Sequence, residues 1–463
     1  MLHSLLPKSP INASSSSSDA APTITMRPSK RSPPSSSSPT TSDDPPAGKK
    51  PHHSPPAAIA VTSVTHGSPE QESRGLRLLS LLLHCAESVA IDNLSEALTL
   101  LPEISELASP FGSSPERVAA YFADALHARI LSSFLGAYSP LSFKPLILTQ
   151  THRISRAFQL LNSISPLLKF SHFTSNQAIF QALESRDRVH IVDLDIMQGL
   201  QWPGLFHILS SRPRPIQSVR ITGVGPTIEN LQSTGRRLAD FAAGFGLPFD
   251  FTPIEGKIGD LTDLSHFCPR DPDEAIVVHW TQHCLYDVTG SDIAAAQILK
   301  SIRPLLVTVV EQDLGHGGDF LARFVEALHY YSALFDAIGD GGAEGEERWE
   351  VERGVLGGEI RNILAVGGPK RTGEVRIERW GDELRRVGFR PVSLSGSPAA
   401  QASLLLGMVP WKGYTLVDEE GRLKLGWKDL SLLTASAWRP AYGNGGAGEP
   451  EGGDLDTNDR ASL

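Results

Sequence analysis

The hydrophobic pattern becomes helical from Gly75, where apolar residues recur every three or four positions. This spacing places apolar side chains on one face of an α-helix. A polar break at Asp92 and Asn93 precedes a second apolar series over residues 94–107, and Ser-Ser-Pro at residues 113–115 is a typical helix start. Three leucine-rich helices joined by short polar turns predict an antiparallel helical subdomain. Its apolar stripe either forms internal core or stays partly exposed to bind a partner.

From residue 189 onwards, short apolar runs alternate with helical patterns. The runs predict strands at residues 189–194, 218–222, 249–252, 275–279 and 305–311. The intervening patterns predict helices at residues 202–211, 228–245, 291–301 and 319–338. Alternation with short connections is typical of a doubly wound parallel sheet. The sequence therefore predicts an α/β fold, a Rossmann-like doubly wound sheet with an α-helical cap subdomain.

The end of the folded region adds shorter elements. Helices are predicted at residues 380–387 and 399–408. Strands are predicted at residues 389–393, 414–417, 423–426 and 432–438. Strands that return late in the chain are expected to pair antiparallel at the sheet edge, as in methyltransferase-type Rossmann folds.

The first predicted strand leads into the candidate ligand site, because α/β proteins bind ligands at the carboxyl ends of their strands. Two carboxylates, Asp193 and Asp195, follow that strand, and then a turn rich in Met, Gln, Leu and Trp. A nucleotide site needs closely spaced glycines there, and an acid after the second strand for the ribose. The nearest such acid, Glu229, already lies in the next helix. No classical nucleotide cofactor is therefore expected.

Asp193 is expected to fix the following turn by hydrogen bonds. Gln198, Trp202 and Pro203 are expected to hold that turn as structural residues. The competing interpretation is an acid/base pair of Asp193 with Asp195, which needs both carboxylates on one face, whereas the two are expected to point to opposite faces. The structural interpretation is therefore favoured.

Two histidines, His279 and His283, stand four residues apart and could mimic a metal-binding pair. No Glu lies between them at the metalloprotease position, and His279 closes a strand instead of lying in a helix. Structural roles are therefore favoured for both, and no metal site is predicted.

Serine and proline dominate the first 74 residues, which contain 18 Ser and 13 Pro. Such a segment cannot bury enough apolar surface to offset its ordering entropy, so residues 1–74 are predicted to be disordered. Residues 441–463 are Gly-rich and acidic and are also predicted to be disordered. Between them, the helical cap is assigned to residues 75–170 and the α/β core to residues 171–440. An insertion from the core into the cap is one alternative.

The formal net charge of −10 is concentrated in the folded region. Residues 1–74 carry +2 and residues 441–463 carry −4, so residues 75–440 carry −8. An acidic body opposes broad electrostatic binding to DNA. A basic stretch between Lys370 and Arg390 is interleaved with acids, and we predict that it is a solvated helix face.

Cysteine usage and the terminal sequence bear on the cellular compartment. The three cysteines, Cys85, Cys268 and Cys284, form no CxxC pair, which favours a reducing compartment over disulfides or a zinc cage. No apolar run is long enough for a membrane span, and no secretory signal is expected. The Ser-rich start faintly resembles a plastid transit peptide, whereas basic pairs at residues 30–31 and 49–50 favour nuclear import.

Several motifs follow one another in order over residues 75–440. The segment Val189-His190-Ile191-Val192-Asp193 lies between leucine-rich segments that begin at Leu76 and at residue 228. Farther along are Pro304, His329-Tyr330-Tyr331, Glu359-Ile360-Arg361-Asn362, Trp380 with Gly388, Trp427, and Ser436-Ala437-Trp438. This series resembles the VHIID, leucine-rich, PFYRE and SAW motifs of the plant GRAS transcriptional regulators, specifically the SCARECROW and SCARECROW-like branch. Val192 replaces an isoleucine, and Gly358 departs from the basic residue usual before the Glu of PFYRE.

The resemblance implies a nuclear, non-enzymatic regulator of transcription. Members of this branch pair with SHORT-ROOT-type GRAS proteins and with INDETERMINATE-domain zinc-finger factors, which would supply the contact with DNA. The implied processes are radial patterning, asymmetric division in ground tissue and bundle-sheath identity. The N-terminal segment is shorter than expected of SCARECROW itself, which favours a SCARECROW-like relative.

The resemblance also places function on particular residues. Cap helices would carry much of the contact between GRAS proteins, so we predict partner contacts at Leu79, Leu83, Val118, Phe122 and Leu126. In the SAW-like region, Trp427 and Trp438 are expected to anchor the C-terminal strands as buried aromatic residues. Two other classes stay open: a Rossmann-type small-molecule methyltransferase, and a direct sequence-specific DNA-binding factor.

Overall fold

A computed structural model describes residues 69–136, 143–315, 317–340, 345–366, 377, 379–408 and 412–441. All of these belong to the unit Thr65–Leu463. The segments predicted to be disordered lie almost entirely outside the described residues, as do the basic pairs at residues 30–31 and 49–50 and residues 370–376 of the basic stretch. Helix α1 (Pro69–Ala90) begins before the predicted boundary after residue 74.

Helix α1 packs against α2 (Leu94–Leu107) and α3 (Ser114–Leu135), as the leucine-rich pattern predicts. Local capping defines where two of these helices begin. The side chain of Asn93 accepts a hydrogen bond from the Glu96 amide at the start of α2. Ser113 and Glu116 form a capping box at the start of α3, where the Glu116 carboxylate accepts from the Ser113 amide at 2.7 Å. Two further helices follow, α4 (Phe143–Ile164) and α5 (Leu167–Ala182).

A mixed sheet forms the centre of the α/β core. Its described strands are β1 (Arg188–Asp193), β2 (Ser218–Gly225), β3 (Phe249–Glu255), β4 (Ala275–Thr281), β5 (Leu306–Gln312), β6 (Phe389–Val392), β7 (Tyr414–Glu419), β8 (Arg422–Trp427) and β9 (Leu430–Pro440). The order is β3-β2-β1-β4-β5-β9-β8-β7, and β6 pairs with β9. The first five strands are parallel, whereas β9 runs antiparallel to β5. The predicted doubly wound sheet with an antiparallel return is confirmed.

Helices cover both faces of this sheet. They are α6 (Trp202–Ser210), α7 (Ile228–Gly244), α8 (Asp292–Ile302), α9 (Phe320–Asp340), α12 (Trp380–Val387) and α13 (Ser397–Leu406). One apolar core joins the cap helices to the sheet, and a second lies on the opposite face around Trp280, Trp380 and Trp438. The central strands are apolar on both faces because both are covered.

A helical segment that the sequence pattern did not predict follows α9 and spans residues 345–366; we refer to it as the late helical segment. It contains α10 (Gly345–Val351), a π-helical turn at Glu352–Leu356, α11 (Gly357–Arg361) and a second π-helical turn at Asn362–Val366. The segment packs against α3 and α4, so late residues lie among the early helices. Two π-helical turns disturb the 3.6-residue period, which explains why helical spacing did not reveal the segment.

The described part of the basic stretch is a mixed-charge helix face, as predicted. Arg385 pairs with Asp382 at 3.0 Å, and Arg386 pairs with Glu383. Pairs at three-residue spacing on an exposed helix neutralise the local charge.

Candidate functional site

The candidate site is the crevice between the cap and the carboxyl ends of β1, β4 and β5. At its centre the carboxylate of Asp193 accepts a hydrogen bond from the indole N–H of Trp202 at 2.9 Å. The same carboxylate accepts from the backbone amide of Asp195 at 3.3 Å. Trp202 is fully buried as the first residue of α6, and Pro203 follows in that first turn. Through these contacts Asp193 holds the turn, and Trp202 and Pro203 form the start of the helix.

The loop between β1 and α6 is also attached to neighbouring helices. The side chain of Gln198 donates to the Ser155 carbonyl of α4 at 2.7 Å and accepts from Gln159 at 2.8 Å. Thr234 of α7 donates to the Met197 carbonyl at 2.9 Å. Met197 adopts a positive φ of 45°, which costs strain for a residue with a side chain. Gln198 therefore links the turn to the cap.

The expected opposite orientation of Asp193 and Asp195 is wrong. Strand β1 ends at Asp193, and the chain then turns, so strand alternation does not extend to Asp195. Both side chains line the same crevice. The sequence argument failed because residues two apart on a strand lie on the same face, so a longer β1 would also have placed both carboxylates together.

Asp195 joins a small network that the sequence did not reveal. Its carboxylate accepts from His283 Nε2 at 2.9 Å and from the Tyr286 hydroxyl at 3.0 Å. Nδ1 of His283 accepts from the Leu285 amide at 3.1 Å, so Nε2 carries the proton that is donated to Asp195. Burial, reinforced by Asp195, raises the pKa of Tyr286 well above its usual value.

His279 also makes structural contacts, as predicted. Its Nδ1 lies 2.9 Å from the Thr308 hydroxyl, and its Nε2 lies 3.1 Å from the Thr281 hydroxyl. Burial lowers the pKa of His279 to about 3, which keeps the ring neutral. Within the described residues, no group of three or more His, Cys, Asp or Glu is arranged to hold a metal ion.

Glu359, in the PFYRE-like region, attaches the late helical segment to the crevice. Its buried carboxylate accepts from the Tyr331 hydroxyl at 3.0 Å, from Gln312 at 3.2 Å and from the Cys284 amide at 3.2 Å. Burial raises its pKa despite these donors. Because its partners come from α9, β5 and the loop after β4, local sequence gave no signal for this cluster.

The five residues of the VHIID-like motif divide between the two faces of β1. Val189 and Ile191 pack in the core on the cap side, whereas Val192 packs in the opposite core. His190 is fully buried, with Nε2 2.8 Å from the Thr222 hydroxyl, and burial lowers its pKa to about 3. Of the motif, only Asp193 reaches the crevice.

The crevice encloses a cavity of about 130 Å³. Met197, Leu200 and Trp202 are among the side chains that line it. Typical pockets for drug-sized ligands and cofactors measure about 300–1,000 Å³. The bulky turn therefore narrows the crevice below nucleotide size without filling it completely.

Substitution of Asp193 is expected to change how stability depends on pH. Burial raises the pKa of Asp193 to about 7, above its unfolded value, so the folded protein holds this proton more tightly. The wild type therefore loses stability as pH rises from about 4 to about 7. We expect Asp193→Asn, which cannot ionise, to gain stability relative to the wild type over this window, by at most about 1.4 kcal/mol per pH unit. Urea unfolding at several pH values measures the difference, and a pH-independent difference would contradict the assignment.

A second concave region lies on the outside of the cap. This groove, about 770 Å³ in volume, runs between α1, the start of α3, α9 and the turn between β8 and β9. Leu76 and Leu79 line it and are 69% and 42% exposed. Glu72, Asp336 and Asp429 also line it, which makes its border acidic.

The predicted partner-binding residues differ in their exposure to solvent. Phe122 and Leu126 are buried beneath α1, α9 and the late helical segment, so the prediction that they contact a partner is wrong. Val118 is also buried but lines the groove, so its partner contact stays a prediction. Phe122, for example, packs edge-on against Phe324, with ring centroids 5.5 Å apart. Leu79 is exposed and Leu83 is partly exposed. Their partner contacts stay a prediction.

The SAW-like residues are structural. Trp427 is buried and donates to Asp336 at 2.8 Å, which joins β8 to α9. Ser436, Ala437 and Trp438 are buried on β9, and the Trp438 indole donates to the Ser436 hydroxyl at 2.9 Å. Both tryptophans are therefore buried on the C-terminal strands β8 and β9. No helix in the described ranges is long and apolar enough to cross a membrane.

Comparison with known proteins bears on the identity of the chain. A family model described as the GRAS domain family matches residues 78–439. Scarecrow-like protein 23 of Arabidopsis thaliana is 65% identical over 79% of this chain and 90% of its own length. Protein SCARECROW of Arabidopsis thaliana is 58% identical over 80% of this chain, but the match spans only 57% of that protein. The crystal structure of SCL7 in Oryza sativa covers 78% of this chain and 99% of its own, with 33% identity and a TM-score of 0.64.

Proposed function

Because the chain belongs to the GRAS domain family, we propose that it is a nuclear transcriptional regulator of plant development that acts through protein–protein contacts. Its Scarecrow-like and SCARECROW relatives support the broad part of this proposal. We further propose that it pairs with a SHORT-ROOT-type GRAS protein and with INDETERMINATE-domain zinc-finger factors. In this scheme the protein acts in ground-tissue and bundle-sheath patterning and in asymmetric cell division.

The groove on the cap is the observation that best supports binding to another protein. Large apolar side chains exposed side by side on a rigid helix mark a surface that another protein covers. Leu76 and Leu79 lie three residues apart on α1 and face this groove. The acidic body gives DNA little attraction, so we assign the DNA contact to the zinc-finger partners.

Disruption of the groove is expected to weaken pairing without unfolding the protein. Leu79 is 42% exposed, so Leu79→Glu adds a charge at the surface and leaves the core intact. The charge must be desolvated when the partner covers the groove, which is costly unless it finds a counter-charge. We expect at least about ten-fold weaker binding of a SHORT-ROOT-type protein, which corresponds to about 1.4 kcal/mol. Titration by isothermal calorimetry measures this change.

Leu404→Glu is the matched control. Leu404 is 68% exposed on α13, outside the groove, so the same change should leave binding unaltered. Thermal unfolding of both variants should match the wild type. Equal binding by Leu79→Glu and the wild type would remove the groove from the pairing surface.

The two rival functions have their own readouts. A methyltransferase would bind S-adenosylmethionine saturably in calorimetry, although the cavity of about 130 Å³ is small for such a ligand. A direct DNA-binding factor would bind duplex DNA by itself, with affinity that falls steeply as salt rises. Either result would overturn a purely protein-mediated role.

A further inference from the structure

The cavity between the cap and the sheet has properties of a small-molecule site. It lies at the carboxyl ends of β1, β4 and β5, where α/β folds place ligands. Its volume is about 130 Å³. An engineered apolar cavity of about 150 Å³ holds one benzene molecule. The space therefore suits a single-ring compound and is too small for a nucleotide.

The wall of the cavity is mainly apolar and carries a minority of polar groups. Phe158, Leu161 and Leu168 of the cap helices provide apolar surface, and Ile196 adds to it from the loop after β1. A purely apolar cavity would stay dry. A cavity with both kinds of lining can contact the apolar face of a ring and form hydrogen bonds with its heteroatoms. The lining therefore favours a molecule that has both an aromatic face and polar atoms.

His172 and Asp193 are among the polar groups in the wall that have unused hydrogen-bonding capacity. His172 of α5 lines the cavity, and its ring nitrogens make no hydrogen bond with another described residue. Burial lowers the pKa of His172 to about 4, so the imidazole is neutral and offers one donor and one acceptor. Asp193 uses two of its roughly four acceptor positions, on Trp202 and on the Asp195 amide. Both groups stand beside the buried ring of His279 and the Trp202 indole.

We propose that this cavity binds an uncharged, single-ring heteroaromatic molecule that donates a hydrogen bond to Asp193 and accepts one from His172. A ring that carries both a donor and an acceptor offers one partner to the carboxylate and one to the imidazole that line the cavity. Such a ligand would touch α4, α5 and the sheet together. It would therefore act as an effector that stabilises the contact between cap and core, separately from any partner on the outer groove.

The test uses 4-fluoropyrazole, a neutral ring with adjacent N–H donor and nitrogen acceptor, and fluorobenzene as its apolar counterpart. Fluorine NMR of each compound with the full-length protein measures binding. A ligand of this size is expected to bind in the millimolar to high-micromolar range. We expect 4-fluoropyrazole to bind saturably and at least about ten-fold more tightly than fluorobenzene.

Two variants locate the site. Leu168→Trp places a bulky indole in the cavity and should abolish binding. Leu160→Trp is the matched control and should leave binding unchanged. Both leucines are partly buried against the same core, but Leu160 does not line the cavity. His172→Phe keeps the ring and removes its hydrogen bonds, and should weaken binding of 4-fluoropyrazole at least about ten-fold while leaving fluorobenzene unchanged.

The outcomes separate clearly. No saturable binding by the wild type would show that the cavity holds water only and would overturn the proposal. Equal binding by Leu168→Trp and Leu160→Trp would place the ligand elsewhere and would also overturn it. If Leu168→Trp fails to fold, the His172→Phe variant tests the proposal, because it compares the binding of 4-fluoropyrazole and fluorobenzene without filling the cavity. Equal binding of 4-fluoropyrazole by this variant and the wild type would overturn the proposal.

Discussion

Replacement of Trp202 by alanine is expected to lower the free energy of unfolding by about 3–5 kcal/mol. The indole is fully buried at the start of α6, so its removal leaves a large cavity. Its N–H is also one of the two donors that the described residues provide to the Asp193 carboxylate, at 2.9 Å. Loss of that donor leaves a buried carboxylate poorly satisfied, which adds to the destabilisation. Urea unfolding of the purified variant measures the change.

Trp202→Phe separates the two contributions. Phenylalanine keeps much of the ring surface but cannot donate to Asp193, so its cost should be smaller, about 1–3 kcal/mol. Trp349→Ala is the control for loss of an indole, because Trp349 is only partly buried, where it stacks on the exposed Phe111. A Trp202→Ala protein within about 1 kcal/mol of the wild type would show that the turn does not depend on this side chain.

Arg117→Met is expected to destabilise the protein by about 3–5 kcal/mol, because it leaves a buried carboxylate without its main partner. Arg117 of α3 lies 2.9 Å from Glu352 in the first π-helical turn, and both side chains are almost inaccessible. Arg117 also donates to the Phe335 carbonyl of α9 at 3.0 Å. Burial raises the pKa of Glu352 more than the attraction of Arg117 lowers it. The pair therefore links three separate segments at a high desolvation cost.

The double variant Arg117→Met with Glu352→Leu is the decisive comparison. Replacement of both charges by apolar side chains removes the uncompensated carboxylate, so much of the lost stability should return. Arg348 lies 3.6 Å from Glu352 and is expected to compensate only in part in the single variant. Thermal and urea unfolding of the four proteins in the cycle give the coupling energy. If the double variant is as unstable as Arg117→Met, packing and not charge controls this contact.

Local pattern was sufficient for most elements of the α/β core. The predicted strand at residues 189–194 corresponds to Arg188–Asp193, and the predicted helix at residues 380–387 matches Trp380–Val387. Buried strands and capped helices carry their signal in neighbouring residues, through apolar runs, spacing and caps. The role of Asp193 in the following turn could also be predicted, because the turn begins beside it, whereas the donor Trp202 was identified only by the structure.

The candidate site was only partly accessible from the sequence. Asp195 gave a local signal as a carboxylate after a strand, but its partners His283 and Tyr286 lie far along the chain. Glu359 accepts hydrogen bonds from three separate elements, and His172 lines the cavity from α5. The periodicity of the sequence does not reveal these contacts, because they form only when distant segments of the chain pack together.

The sequence by itself determined the alternation of strands and helices typical of a doubly wound sheet, and the turn after β1, since the signals for these features lie in neighbouring residues. Only the tertiary structure decided which apolar residues of the cap are covered. Phe122 and Leu126 are buried because α9 and the late helical segment pack on α3, whereas Leu79 stays exposed. Helical spacing shows which face of a helix is apolar. It does not show which distant segment of the chain packs against that face and buries it.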